Sequence, residues 1–412
     1  MTSQRKVGVY GMFFPPIELC VEYARQCEAM GLDLITFTDQ IQNNLPQSIW
    51  PEIPASAYLP RAHNFYDASL VMALAAHATS QIELFFGAID VVREVPSKLA
   101  QKFLTLDHIT RGRGIYAVGA SEVKNIAQYG HSRKNSAKKL DETLQILRLL
   151  FESEGAPVHF DGEFYSMKGG VVDLAPFGDR PPRVLVATGG SPQTLRTVGR
   201  YADGLLTNLP GMCLGGPEQF AKDVQIVREG AEQAGRDPDQ LRFAASVLVL
   251  MNDDPAELNR LAASPYLRWN TIVYGAVFGK DWRRFGFEHP LGDEWSYARH
   301  LKPETYSADF VRDAIAKVPM EAARDMAHMS GSAEKVAAEI DAYFDAGLDY
   351  ACVIDHSTAA DPSTAAEAAA NLAKLISILK REEPAATKDS PRLGYLGIGG
   401  ELEATSTGAK AP

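Results

Sequence analysis

The chain has 412 residues, 46% hydrophobic and 23% charged, which suits a soluble globular protein with a large core. Its formal charge of −11 argues against a nucleic-acid binder, which needs clustered Lys and Arg. No apolar run nears the roughly 20 residues that span a bilayer, and MTSQRKVGVYG lacks the apolar core and cleavage site of a secretory leader.

The first strand is expected at 7–10 (VGVY), followed by a helix over 16–30. Cys20 and Cys27 lie on that helix with Tyr23 and Ala24 and read as core. With Cys213 and Cys352 they form no CxxC pair, so no zinc site or dithiol is expected, and the protein reads as reduced and cytoplasmic. The second strand, 33–38 (DLITFT), stops abruptly at Thr38-Asp39-Gln40. Further strands are expected near 82–89, 114–119, 183–188, 203–207, 242–250 and 349–355, several apolar on both faces as buried parallel strands are. Helical patterns separate most of them, over 67–79, 97–110, 135–151, 191–201, 217–234, 332–346 and 363–380. In the third of these, Leu140, Leu144, Leu147 and Phe151 make one stripe at three- and four-residue spacing. Ser332 stands in a helix-capping position and Gly347 in a helix-stopping one.

Eight βα alternations predict an α/β fold, a closed TIM (β/α)8 barrel over 1–380, with a doubly wound open sheet as the rival. Two long insertions follow strands two and seven, at about 40–66 and 252–328. The second is rich in aromatics, among them Trp269, Tyr274, Trp282, Trp295 and Tyr297. It reads either as a lid over an apolar-walled pocket or as a small packed subdomain. Residues 381–412 lose periodicity and are expected to form a flexible tail. The GIGG at 397–400 has no strand–turn–helix around it to make a dinucleotide loop.

There is no GxSxG, HExxH or P-loop, and the histidines do not cluster at metal-ligand spacing. Instead, polar residues recur at strand tips. Asp90 and Arg93 follow the third strand, and Ser121, Glu122 and Asn125 follow the fourth. Thr188-Gly189-Gly190-Ser191-Pro192 leads from the fifth strand into a helix, whose free N–H groups suit a phosphate; Ser191 serves equally well as an ordinary N-cap.

Together these segments resemble the bacterial-luciferase-like superfamily of barrel oxidoreductases, which use FMN or the deazaflavin coenzyme F420. The resemblance rests on TDQ after strand two, TRGRGIYAVGASEVKNIAQYG (110–130), HFDGEFYSMKG (159–169), VATGGSP followed by GRYADGL (199–205), AGRDPDQL (234–241), and SGSAEKVAAEIDAYFDAGLDYACVI (330–354). GFEHPLG (286–292) and AKVP (316–319) are similar to the deazaflavin-dependent phthiodiolone ketoreductases. The resemblance implies coenzyme F420, with FMN as the alternative, and a homodimer. It places Asp39 beside the deazaflavin ring, Phe86-Gly87 at a non-prolyl cis peptide behind it, Ala120, Glu122 and Asn125 near the ring and side chain, and Gly189, Gly190 and Ser191 at the phosphate. Glu122 matches a proposed proton donor or charge stabiliser.

Gln40 is a departure, because many relatives carry histidine there. Glutamine cannot pass a proton at neutral pH, but it can donate a hydrogen bond to a carbonyl oxygen. The proton is then left to Glu122, His63 or water, unless Gln40 merely caps a loop. The implied function is hydride transfer between F420 and a carbonyl or imine carbon of an apolar or otherwise neutral substrate. A sugar-phosphate substrate fits poorly, since TNLPGMCLGGP (207–217) has no basic residue. An FMN-dependent monooxygenase and a non-catalytic cofactor carrier are the alternatives.

Overall fold

The computed structural model describes residues 5–381. The tail expected from 381 onward, with its GIGG, lies outside these residues apart from Arg381. Eleven strands form among the described residues: β1 (Lys6–Tyr10), β2 (Leu34–Phe37), β3 (Glu83–Asp90), β4 (Gly114–Gly119), β5 (Val158–Asp161), β6 (Ser166–Gly170), β7 (Arg183–Ala187), β8 (Gly204–Leu209), β9 (Arg242–Met251), β10 (Met329–Gly331) and β11 (Tyr350–Asp355). Eight of them run in parallel in the order β1-β2-β3-β4-β7-β8-β9-β11. β11 pairs back onto β1, with Val9 opposite Val353. That pairing closes a barrel and excludes the open sheet, which would leave two edges.

Strand pleating sorts side chains into two cores. Leu34, Phe85, Ile115, Leu185, Ala244 and Tyr350 fill the barrel interior. Alternate residues such as Val7, Val9, Phe37 and Val118 face outward into a larger core beneath the helices. Gly8 faces inward where space is short, since a Cβ there would stand 2.4 Å from the Leu34 side chain. The helix Ile17–Ala29 buries Cys20, Tyr23, Ala24 and Cys27 on one face, and all four cysteines are free thiols. The helix Ser136–Glu152 buries Leu140, Leu144 and Leu147 as their spacing predicts. Ser332 accepts a hydrogen bond from Lys335 N–H, and Gly347, at φ 105°, follows the helix Ala333–Asp345.

Two elements escape the sequence reading. β5 and β6 form an antiparallel hairpin outside the barrel, half exposed and glycine-bearing, so it carries no buried-strand pattern. β10 is a three-residue strand added alongside β9. No described helix is long and apolar enough to cross a membrane.

Both insertions rise from C-terminal strand ends and join into one roof. Asn44 Nδ2 donates to Tyr274 Oη at 2.8 Å, and Trp269 Nε1 donates to the Asn44 carbonyl at 2.9 Å. Glu304 accepts from His63 Nε2 at 2.7 Å and from Gln47 N–H at 2.8 Å. The tryptophans of the second insertion, Trp269, Trp282 and Trp295, are buried within it, so most of its aromatic content serves packing.

Candidate active site

At the C-terminal ends of the strands, under that roof, lies a cavity of about 570 Å³, part of it open to solvent. Tyr10, Thr38, Asn208 and Leu248 reach it from β1 and from the ends or bodies of β2, β8 and β9. Gln40, Asn43 and Asn44 come from the first insertion. The second insertion contributes Tyr266, Asn270 and Tyr274 from one helix, Pro265–Tyr274. Their four-residue spacing puts all three on one face. His356 enters just after β11. The polar lining is therefore amide, hydroxyl and imidazole, with no acid and no Lys or Arg. An apolar chamber of about 420 Å³ adjoins it, sharing Phe13, Asn43 and Tyr266 and extending to Trp50, Leu59 and Phe65.

Gln40 is held by a buried cation. Lys124, 2% exposed, places Nζ 3.4 Å from Gln40 Oε1, 3.2 Å from the Gln42 carbonyl and 3.5 Å from the Glu122 carboxylate. Burial pulls the Lys124 ammonium below its ordinary pKa, and the Glu122 charge opposes that. With Oε1 taken by Lys124, the Gln40 amide has its NH2 left as the donating end.

The turn after β4 is built for this. Ser121 sits at φ 74°, a region costly for a non-glycine residue. Its hydroxyl donates to Asp90, and its carbonyl accepts from Arg133 Nε at 2.8 Å. Arg93 lies between Asp39, to which it donates, and Asp90, whose carboxylate is 3.6 Å from Nε. Burial raises the Asp39 carboxyl above its ordinary value against the pull of the Arg93 guanidinium.

The other residues singled out in the sequence fall as follows. Phe86 is 1% exposed, with its side chain in the helix-facing core. The non-prolyl cis bond joins Gly87 to Ala88, one bond beyond the expected Phe86-Gly87. Ala88 packs against the barrel interior. Asn125 spends its Oδ1 on the N–H groups of Ile41, at 3.2 Å, and Gln42, at 3.5 Å, and so pins the Gln40 loop. Ala120 is half-buried in the same turn. Glu122 stands outside the cavity lining as the partner of Lys124. Gly189 and Ser191 are exposed and Gly190 half-buried at the end of β7, where Ser191 caps the helix Pro192–Tyr201. His63 is committed on both ring nitrogens, to Asn43 N–H at 2.9 Å and to Glu304. Asn208, Asn270 and His356 escape the sequence reading, and Tyr274 enters it only as one aromatic of the second insertion. The 266–270–274 spacing was the one readable signal for them, and the rest become neighbours only when the barrel closes.

Two observations bear on a flat, polar-edged cofactor. Thr38 Oγ1 and Asn44 Oδ1 are buried at the cavity without a hydrogen-bond partner among the described residues. The wall of β3, β4 and β7 is also small: a Cβ at Gly119 would have Ala88 and Ala187 Cβ atoms at 3.6 and 3.8 Å. The residues present thus fit a planar ring system with hydrogen-bonding edges. Among the described residues no cluster of His, Cys, Asp and Glu is suited to a metal ion.

The family model described as luciferase-like monooxygenase matches residues 2–350. The phthiodiolone/phenolphthiodiolone dimycocerosates ketoreductase of Mycobacterium kansasii is 28% identical over 357 residues, 85% of this chain and 95% of that protein. The F420-dependent glucose-6-phosphate dehydrogenase of Mycolicibacterium fortuitum is 30% identical over 252 residues, 59% of this chain and 67% of that protein. Among solved structures, an F420-dependent secondary alcohol dehydrogenase with an F420-acetone adduct superposes with a TM-score of 0.64 at 20% identity. It covers 88% of this chain and 97% of its own, and it supports the barrel fold. By the span of that family match, the chain belongs to the luciferase-like monooxygenase family.

Proposed function

We propose that the protein is an F420-dependent oxidoreductase that moves a hydride between the deazaflavin and a carbonyl or imine carbon of an uncharged organic substrate. The observation that carries the substrate class is the lining of the cavity, where amides and hydroxyls meet an apolar chamber and no charged side chain is present. Such a wall leaves a phosphate or carboxylate without a counter-charge. The ketoreductase name of one sequence relative supports reduction of a carbonyl, and the F420-dependent dehydrogenase name of another supports the cofactor. When bound, F420 supplies or accepts the hydride; the chain has to bind, orient and polarise. Thr38 Oγ1 and Asn44 Oδ1 would meet the polar edge of the ring, with Asp39 beside it. The Gly189-Gly190-Ser191 turn would take the anionic tail. Gln40 would donate its NH2 to the substrate oxygen, and Glu122 would hold the charge of Lys124 rather than move a proton.

Titration of the purified chain with oxidised F420 and with FMN, read by fluorescence, tests the cofactor. Tight F420 binding with weak FMN binding is expected; the reverse, with oxygen uptake on reduced FMN, overturns the proposal in favour of a monooxygenase. Cofactor binding without turnover of any carbonyl, imine or alcohol offered would favour a non-catalytic carrier.

The homodimer is also a proposal. Leu70 and Leu74, one turn apart on the helix Ala68–Ala78, are 66% and 47% exposed. Replacing both with glutamate is expected to halve the mass measured by sedimentation. An unchanged mass would remove this helix from any interface.

A further inference from the structure

The apolar chamber meets the polar cavity along Phe13, Asn43 and Tyr266. The rest of its wall is Phe14, Trp50, Ala55, Leu59, Phe65 and Ala359. The one side-chain N–H among those six is spent, because Trp50 Nε1 donates to the Leu59 carbonyl at 2.6 Å. Asn43 stands on the shared side, where its Oδ1 accepts from Leu45 N–H at 3.3 Å and its own N–H donates to His63 Nδ1 at 2.9 Å. A group entering from the cavity therefore meets hydrocarbon. A polar group would lose its hydration there without replacement, whereas an apolar void of this kind takes up apolar guests.

The chamber is also bounded. The first insertion supplies Trp50, Ala55, Leu59 and Phe65 to its wall, and the short helix Pro54–Ala57 of that insertion packs against the helical turn Ser357–Ala360 after β11. Each of these two elements lends one alanine, Ala55 and Ala359, which are 1% and 0% exposed. Both belong to the wall that is not shared with the cavity. Space there is kept by the smallness of two side chains, so a larger residue at either position would fill it.

We infer that the chamber receives one hydrocarbon arm of the substrate, and that Ala55 and Ala359 limit the length of that arm. This deepens the hydride-transfer reading and rests on it. The substrate class is then a ketone, or the matching secondary alcohol, that carries an alkyl arm of bounded length. Its oxygen stays with Gln40 in the polar cavity, and the arm passes Phe13, Asn43 and Tyr266 into the chamber. The first insertion thereby selects the substrate at both ends, through Gln40 at its start and the chamber wall farther along.

The test uses methyl carbinols with straight alkyl tails from ethyl to decyl, titrated into the full chain without cofactor by isothermal calorimetry. Affinity is expected to rise about three- to fourfold per methylene until the chamber is full, and then to stop rising. Ala55→Leu and Ala359→Leu should each move that break to shorter tails. Leu59→Ala, which keeps the carbonyl that holds Trp50, should move it to longer ones. Affinity independent of tail length, or a break that stays in place in Ala55→Leu and Leu59→Ala alike, overturns the assignment. With reduced F420, the matching methyl ketones should show the same break in kcat/KM. If the calorimetric series holds and no ketone is reduced, the hydride-transfer reading falls and the chamber stands as a hydrocarbon site. Ketone reduction with no break in the series leaves that reading standing and overturns the role of the chamber.

Discussion

Replacing Gln40 with methionine lowers kcat/KM about a hundredfold and leaves F420 affinity within a few-fold. Methionine matches glutamine in length and keeps the loop filled, so the variant removes the donor and little else. A donor aimed at a developing oxyanion accounts for a rate factor of about 10²–10³. The Gln40 amide is pre-oriented, because Lys124 Nζ, 3.4 Å from Oε1, sets which end faces the cavity. Lys124→Met should therefore reproduce part of the loss without touching the substrate, by freeing the amide to rotate. Stopped-flow measurement of the hydride-transfer step separates these effects from product release. A Gln40→Met enzyme with wild-type turnover would assign the glutamine to loop structure alone.

Replacing Arg93 with leucine costs about 3 kcal/mol of unfolding free energy near neutral pH. The guanidinium lies between Asp39 and Asp90, with side-chain exposures of 17%, 19% and 4% respectively. Removing one partner of a buried ion pair leaves an uncompensated charge and costs about 3–5 kcal/mol. Two carboxylates lose their partner here, but Asp90 keeps the Ser121 hydroxyl and the Val92 N–H, which holds the cost to the lower end. Urea denaturation at pH 7 measures it. The double variant Asp39→Asn, Arg93→Leu should recover part of the loss by removing one orphaned charge. If Arg93→Leu is as stable as the parent, the chain from Asp39 to Ser121 is not what braces the mouth of the barrel.

Much of the architecture is legible in the chain itself. Each barrel strand is an apolar run bounded by turn residues, and each long helix carries its stripe, so the eightfold alternation shows without coordinates. The strand-tip residues are legible too, because Thr38, Asp39 and Gln40 end an apolar run for no structural reason visible locally. Their partners are not. Arg93 stands across from Asp39, and the Asn125 side-chain oxygen accepts from the Ile41 and Gln42 N–H groups, pairings that no local pattern announces. The aromatic insertion suggests a lid, yet its tryptophans are buried, Trp282 and Trp295 against His289 and Trp269 against Tyr306, and the cavity takes only Tyr266, Asn270 and Tyr274 from it.

The sequence by itself determined the barrel, the places where its insertions leave, and the neutral glutamine at a tip where a histidine was expected. Those follow from short-range patterns of 2.0 and 3.6 residues, which any folded copy of the chain must obey. Closure of the barrel decided the rest. It brought His356, Asn270 and Asn208 to the same opening as Gln40, and it set His328 against His356. Contacts between residues far apart in the chain depend on strand register and crossing geometry, which no local pattern encodes.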